Sequence, residues 1–196
     1  MADRRTSPFP SYSDAAITLH WLIAVLILTN IALAWIWDPL DHSGNPADKL
    51  RMGQLVALHK SVGLTVLVLS LVRLGIRLAR GFPSLPNHMA VWERVLARAT
   101  HIAFYVLMIG TPLLGWALAS SGKRPIPYFG LFEWPKLPVP ADKALGHQIF
   151  QAHGTAATLI LITLALHVLG ALKHQFFDKD WVLHRMLPIV KQPNRS

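Results

Sequence analysis

The sequence predicts an all-α membrane protein, a four-helix up-down transmembrane bundle. Three observations carry that prediction. Of 196 residues, 53% are hydrophobic and only 15% are charged, against about 25% charged in an ordinary soluble domain. Three runs, Ala15 to Trp37, Ala99 to Gly122 and Ala144 to Leu172, contain no Asp, Glu, Lys or Arg, and each exceeds the roughly 20 residues that cross a hydrocarbon core. A fourth stretch, Gln54 to Leu78, is broken only by Lys60 near its start and by Arg73 and Arg77 near its end, where long side chains reach back to the interface.

Taken in order, the helices are expected at about 15–37, 54–78, 99–120 and 146–173, all within one domain spanning 1–196. The first run follows Arg4 and Arg5 and contains Ala32-Leu33-Ala34, as a leader with a cleavage site would. It is longer than a signal core and ends in Trp35 and Trp37, which suit an interface anchor, so it is read as a membrane helix. Pro86-Asn87 is expected to open an interfacial stretch through Trp92 and Arg98, capped by Asn87, or else to be a linker. In the third helix Pro112, between Gly110 and Gly115, should kink or thin the rod and let a neighbour or a flat cofactor approach. From Ser120 to Lys143 five prolines alternate with Tyr128, Phe129 and Trp134, predicting an irregular cap rather than a strand.

Charge sets the orientation. Twelve Lys or Arg residues fall in the N-terminal tail, the Arg73–Arg98 connection and the tail after Leu172, against six in the other two connections. The positive-inside rule then places both termini in the cytoplasm. The same rule explains the formal charge of +9 without nucleic acid as a partner. The chain has no cysteine, which excludes disulfides, thiolate-bound iron–sulfur clusters and covalent c-type haem.

Of the six histidines inside the membrane runs, His101 and His147 stand within three residues of a run's start, whereas His20, His59, His153 and His167 lie deeper, where an ionisable group without a partner is costly. His42, His88 and His184 sit in connections or the tail and read as solvated. His153 and His167 are 14 residues apart, which on a helix is roughly 21 Å of rise and about 40° short of four turns. Both imidazoles therefore project from one face at different depths. His147 lies twenty residues before His167, roughly 200° round the helix, and faces the opposite side. Alternating topology puts His59 with His153 at the outer level and His20 with His167 at the inner one.

Paired imidazoles at two levels suit two bis-histidine haems used for electron transfer, because both axial positions are filled. Each ring's second nitrogen is expected to donate to a backbone carbonyl or a Ser/Thr hydroxyl. Arg73, Arg77 and Arg80 close the second helix at the inner side, as partners for haem propionates or as snorkelling cations. His101 and His174 stand at the same surface, beside the inner haem or facing water. Histidines that merely bridge helices, and a zinc or copper site, are the competing readings; the membrane runs offer no carboxylate or thiol to complete such a metal centre.

These residues resemble the bacterial di-haem cytochrome b561 family. The resemblance runs through Ile17-Thr18-Leu19-His20-Trp21, His59-Lys60-Ser61-Val62-Gly63, Val72-Arg73-Leu74, His153 with His167, His174-Gln175-Phe176-Phe177 and Arg185-Met186-Leu187-Pro188. It implies a multi-pass inner-membrane protein with two b haems, and axial histidines mapping onto His20, His59, His153 and His167. Some members are similar to a superoxide:ubiquinone oxidoreductase, with superoxide or another periplasmic donor outside and ubiquinone as acceptor near the cytoplasm. The family's quinone region maps onto His101, Lys173 and His174. Two other functions stay open: a haem-bearing anchor subunit of a larger dehydrogenase or hydrogenase, and a helix bundle without redox function.

Overall fold

A computed structural model describes residues 12–81, 89–180 and 182–187. Four long helices dominate it: α1 (Asp14–Asp41), α2 (Pro46–Arg80), α3 (Val91–Ser121) and α4 (Lys143–Lys173). Each is long and apolar enough to cross a membrane. They outrun the uncharged segments, most clearly α2, which begins at Pro46 rather than near residue 54. A stretch without charges measures the hydrocarbon, whereas a helix persists into the interface until a cap stops it. Asn45 is that cap for α2, its side chain accepting from Ala47 N at 3.0 Å, with Pro46 in the first turn where a missing N–H costs nothing. Ser13 and Asp142 cap α1 and α4 in the same way.

Trp92 and Arg98 lie within α3 itself, not in a separate interfacial stretch, and Glu93 reaches back to Ala90 N at 3.0 Å. Asn87, the expected cap, lies outside the described residues, as do Arg4, Arg5 and His88. Pro112 sits inside the continuous α3. After Lys173 the chain winds into one π-helical turn, His174–Asp178, and leaves it at Lys179 in a left-handed conformation.

The connection from α3 to α4 departs from expectation. Pro127–Tyr128 pairs antiparallel with Phe132–Glu133, turning through positive φ at Phe129 and Gly130. Peptide groups at the membrane edge still need partners, and a two-residue ladder provides some of them. Ser61 Oγ, completely buried on α2, accepts from Phe129 N at 2.9 Å and lies 3.1 Å from the Pro127 carbonyl, while Thr65 bonds the Tyr128 hydroxyl at 3.0 Å. On the α3 side Trp116 Nε1 donates to Pro135 O and Ser120 Oγ accepts from Leu137 N. The cap is therefore stitched to one end of each of two helices, α2 and α3, the first of which carries His59.

Ile23 of α1, Val66 of α2 and Met108 of α3 form the buried core, with Leu26, Leu69, Phe104 and Tyr105 packed on it. Helix α4 packs its backbone closely against α3 and meets α1 and α2 through side chains. It carries both His153 and His167, whose partners stand on α2 and α1.

Candidate haem-ligand layers

The four membrane histidines meet in two pairs. His59 and His153 have ring centroids 6.1 Å apart at 73°, and His20 and His167 have centroids 6.1 Å apart at 64°. The pairing is the one topology demanded. Two imidazoles gripping one iron from opposite sides, each nitrogen about 2 Å from the metal, stand roughly 6 Å apart centre to centre. Both layers have that span, so each pair of residues fits a haem iron held between its two rings.

In the outer layer both rings are fixed through Nδ1. His59 Nδ1 donates to the Asn30 carbonyl of α1 at 3.1 Å, and His153 Nδ1 donates to the Thr111 carbonyl of α3 at 2.9 Å. A carbonyl can only accept, so both rings hold their proton on Nδ1 and leave Nε2 as the lone-pair nitrogen. Gly115 makes the second contact possible. It follows Thr111 by one turn, and a Cβ placed on it would meet His153 Cε1 at 3.0 Å and Nδ1 at 3.3 Å. The thinning expected around Pro112 is thus found at Gly115, where the approaching neighbour is the imidazole. Trp37 closes the layer, its ring edge-on to His59 at 4.7 Å.

The inner layer is built differently. His20 faces a cation: Arg73 Nη1 donates to the Ala16 carbonyl at 2.6 Å while Nη2 stands 3.5 Å from His20 Nδ1. Sequence reasoning foresaw Arg73 as a cation at the helix end, but not beside an imidazole; one turn separates Ala16 from His20, which aims the carbonyl and the ring at the same guanidinium. His167 is packed edge-on by Phe104 at 5.3 Å and by His101 at 5.6 Å. His101 also lines a recess of about 220 Å³ between α2 and α3 with Leu74, Arg77 and Tyr105, and the Arg77 guanidinium lies 5.1 Å over the Tyr105 ring.

Lys173 and His174 belong to another group of side chains. Lys173 Nζ pairs with Glu93 of α3 at 2.6 Å and with Asp178 at 2.8 Å. His174 Nδ1 meets the buried Asp180 at 2.8 Å and Asp178 at 3.1 Å. Trp21 Nε1 donates to the Met186 carbonyl at 2.7 Å, drawing the segment after α4 against α1. His147 is exposed and contacts Gln151 on its own helix, and His42 folds onto the Asp38 carbonyl at the end of α1. Neither joins a layer.

The family described as prokaryotic cytochrome b561 matches residues 11–188. A protein named cytochrome b562 from Cereibacter sphaeroides is 31% identical over 182 residues, covering 91% of this chain and 96% of its own. Cytochrome b561 homolog 2 of Escherichia coli K12 is 29% identical, covering 90% of each chain. A protein named probable superoxide oxidase CybB, from Yersinia pestis, is also 29% identical, covering 90% of this chain and 96% of its own. With four spanning helices and paired imidazoles at two levels, the chain belongs to the prokaryotic cytochrome b561 family, bacterial membrane proteins that bind haem b and transfer electrons.

Proposed function

We propose that this chain is a superoxide:ubiquinone oxidoreductase of the inner membrane, with two b haems and both termini in the cytoplasm. The observation that supports it most is the equal 6.1 Å spacing of two imidazole pairs at opposite ends of one bundle. His59 and His153 are the axial ligands at the outer level, and His20 and His167 those at the inner level. Bound haem supplies reversible one-electron chemistry. With both imidazoles of a pair on one iron, the protein would offer oxygen no coordination site, which suits electron transfer.

The rest falls to side chains. Lys60, Lys123, Arg124, Lys136 and Lys143 give the outer end a basic component that draws in superoxide, tempered by Asp38, Asp41, Asp48, Glu133 and Asp142 on that side. Arg77, with Arg73 behind it, provides guanidinium donors for propionates. The quinone end is centred on His101, which delivers protons, while Lys173 and His174 stand at the same end of the bundle, held by Glu93, Asp178 and Asp180. The overall reaction balances as two superoxide anions, one quinone and two protons giving two molecules of oxygen and one quinol.

Stopped-flow mixing of the purified protein with superoxide tests this. Superoxide should reduce the haem bands within the mixing experiment, and added ubiquinone should reoxidise them, two superoxides being consumed per quinol formed. Haem that superoxide leaves oxidised would refute the activity and favour an anchor subunit fed by a partner protein.

A further inference from the structure

We propose that Arg73 and the two outer carbonyls bias the histidine layers electrochemically, so that the inner layer binds its electron more tightly and transfer runs from outside to inside. The inference rests on the two-haem reading and concerns what the chain does to each pair of ligands.

The bias has two sources of the same sign. In the outer layer both imidazoles donate Nδ1–H to backbone carbonyls, Asn30 O and Thr111 O. Such a bond makes the ring a more basic ligand, which favours the oxidised iron. In the inner layer the corresponding nitrogen of His20 meets a guanidinium, which has only donors to offer. With Nε2 given to a metal, Nδ1 would carry the ring's proton and face that guanidinium as donor to donor, with no hydrogen bond between them, so the ring would gain no basicity from its neighbour. The second source is charge. Reduction adds one electron to a site, and a cation held nearby stabilises the reduced form most where water is scarce. Arg73 is such a cation, half-buried and held by the Ala16 carbonyl at 2.6 Å, and permanently charged.

Other charges face each layer. Arg77, beside Tyr105 and His101, adds to the positive side of the inner layer. At the outer layer Lys60 follows His59 in the chain but projects about 100° away around α2, on a flexible stem that favours water. Its field opposes the bias without being fixed against an imidazole. Arg73 is accordingly a positioning residue that acts through His20 and through its charge. With a haem held by each pair of histidines, these residues would favour the electron on the inner layer, and the proposed periplasmic donor would supply the outer one.

Potentiometric titration of the purified holoprotein, followed in the α bands after counting haem, tests the inference. His167→Ala and His153→Ala, each leaving one layer, assign the two one-electron waves. The wild type should show the inner wave at the higher potential. Arg73→Gln removes the charge and offers an amide oxygen to His20 Nδ1, so it should lower the inner wave and leave the outer one in place. Arg73→Lys should keep most of the difference. An outer wave at the higher potential, or an inner wave indifferent to Arg73→Gln, would overturn the inference while leaving the two-haem reading intact. If the Gln variant fails to retain its inner haem, the wild-type order and the Lys variant still decide. Fewer than two haems in the wild type would overturn both readings together.

Discussion

Replacing either outer histidine, His59 or His153, by Ala should abolish one haem and spare the other, and the same change at His20 or His167 should abolish the opposite one. The expected loss is large, because one of the two bonds to the iron goes and alanine offers no nitrogen in its place; at the inner layer His101 is a neighbouring imidazole, 5.6 Å from His167. Haem content should fall by half in each variant, and a split α band should lose a different component for the two layers. The geometry assigns the pairs: His59 to His153 and His20 to His167, each at 6.1 Å. Loss of the inner spectral component on replacing His59 would contradict that assignment. His101, 5.6 Å from His167, is the informative control. Its replacement by Ala should leave both haems bound while impairing reoxidation of the protein by quinone.

A second large effect is expected at a residue that touches no cofactor. In Gly115→Val the branched side chain would occupy the space where His153 lies against α3, since even a single Cβ would come within 3.0 Å of the ring. The imidazole would have to swing off the Thr111 carbonyl, losing the 2.9 Å bond that fixes its tautomer. Removing such an orienting partner lowers metal affinity by roughly 10- to 100-fold, so the outer haem should be lost on dilution or chase with apo-myoglobin while the inner one remains. Gly115→Ala should show an intermediate loss, as the ring yields by a few tenths of an ångström. Equal haem retention in wild type and Gly115→Val would mean that His153 does not need its present seat.

Much of this was legible in the residues because the membrane imposes simple rules. Uncharged length gave four helices, and the 14-residue interval between His153 and His167 gave two levels on one face. Those are period and length arguments, and the helix that carries them is regular. The helix ends were less legible. Asn45 stops α2 well outside the hydrocarbon and Glu93 reaches back to the start of α3, and neither is visible to a criterion based on absence of charge. The pairing within the cap was missed for a related reason. Proline-rich composition argues against a long strand but not against a two-residue ladder, and the anchor for that ladder, Ser61, is on another helix.

The partners of the imidazoles mark the firmest limit of the sequence. Asn30 and Thr111 contribute their backbone carbonyls, which every residue possesses, so composition holds no signal for them. Gly115 was the one readable trace, because a residue without a side chain next to Pro112 foretells close approach, even though which group approaches depends on how α3 and α4 pack. Arg73 was legible as a cation near the helix end, but its placement beside His20 requires the register of α2 against α1. Lys173 and His174 were read together with His101, and the structure instead joins them to Glu93, Asp178 and Asp180. Acidic residues spread over two segments give no local motif for such a group.

The central claim is that four imidazoles in two layers hold two haems, and the most direct test is the amount of b haem bound per chain, measured as the pyridine haemochrome of protein purified after haem-replete expression. Two haems per chain, both low-spin and neither lost on gel filtration, is the predicted result. One haem per chain, or colourless protein, would contradict it.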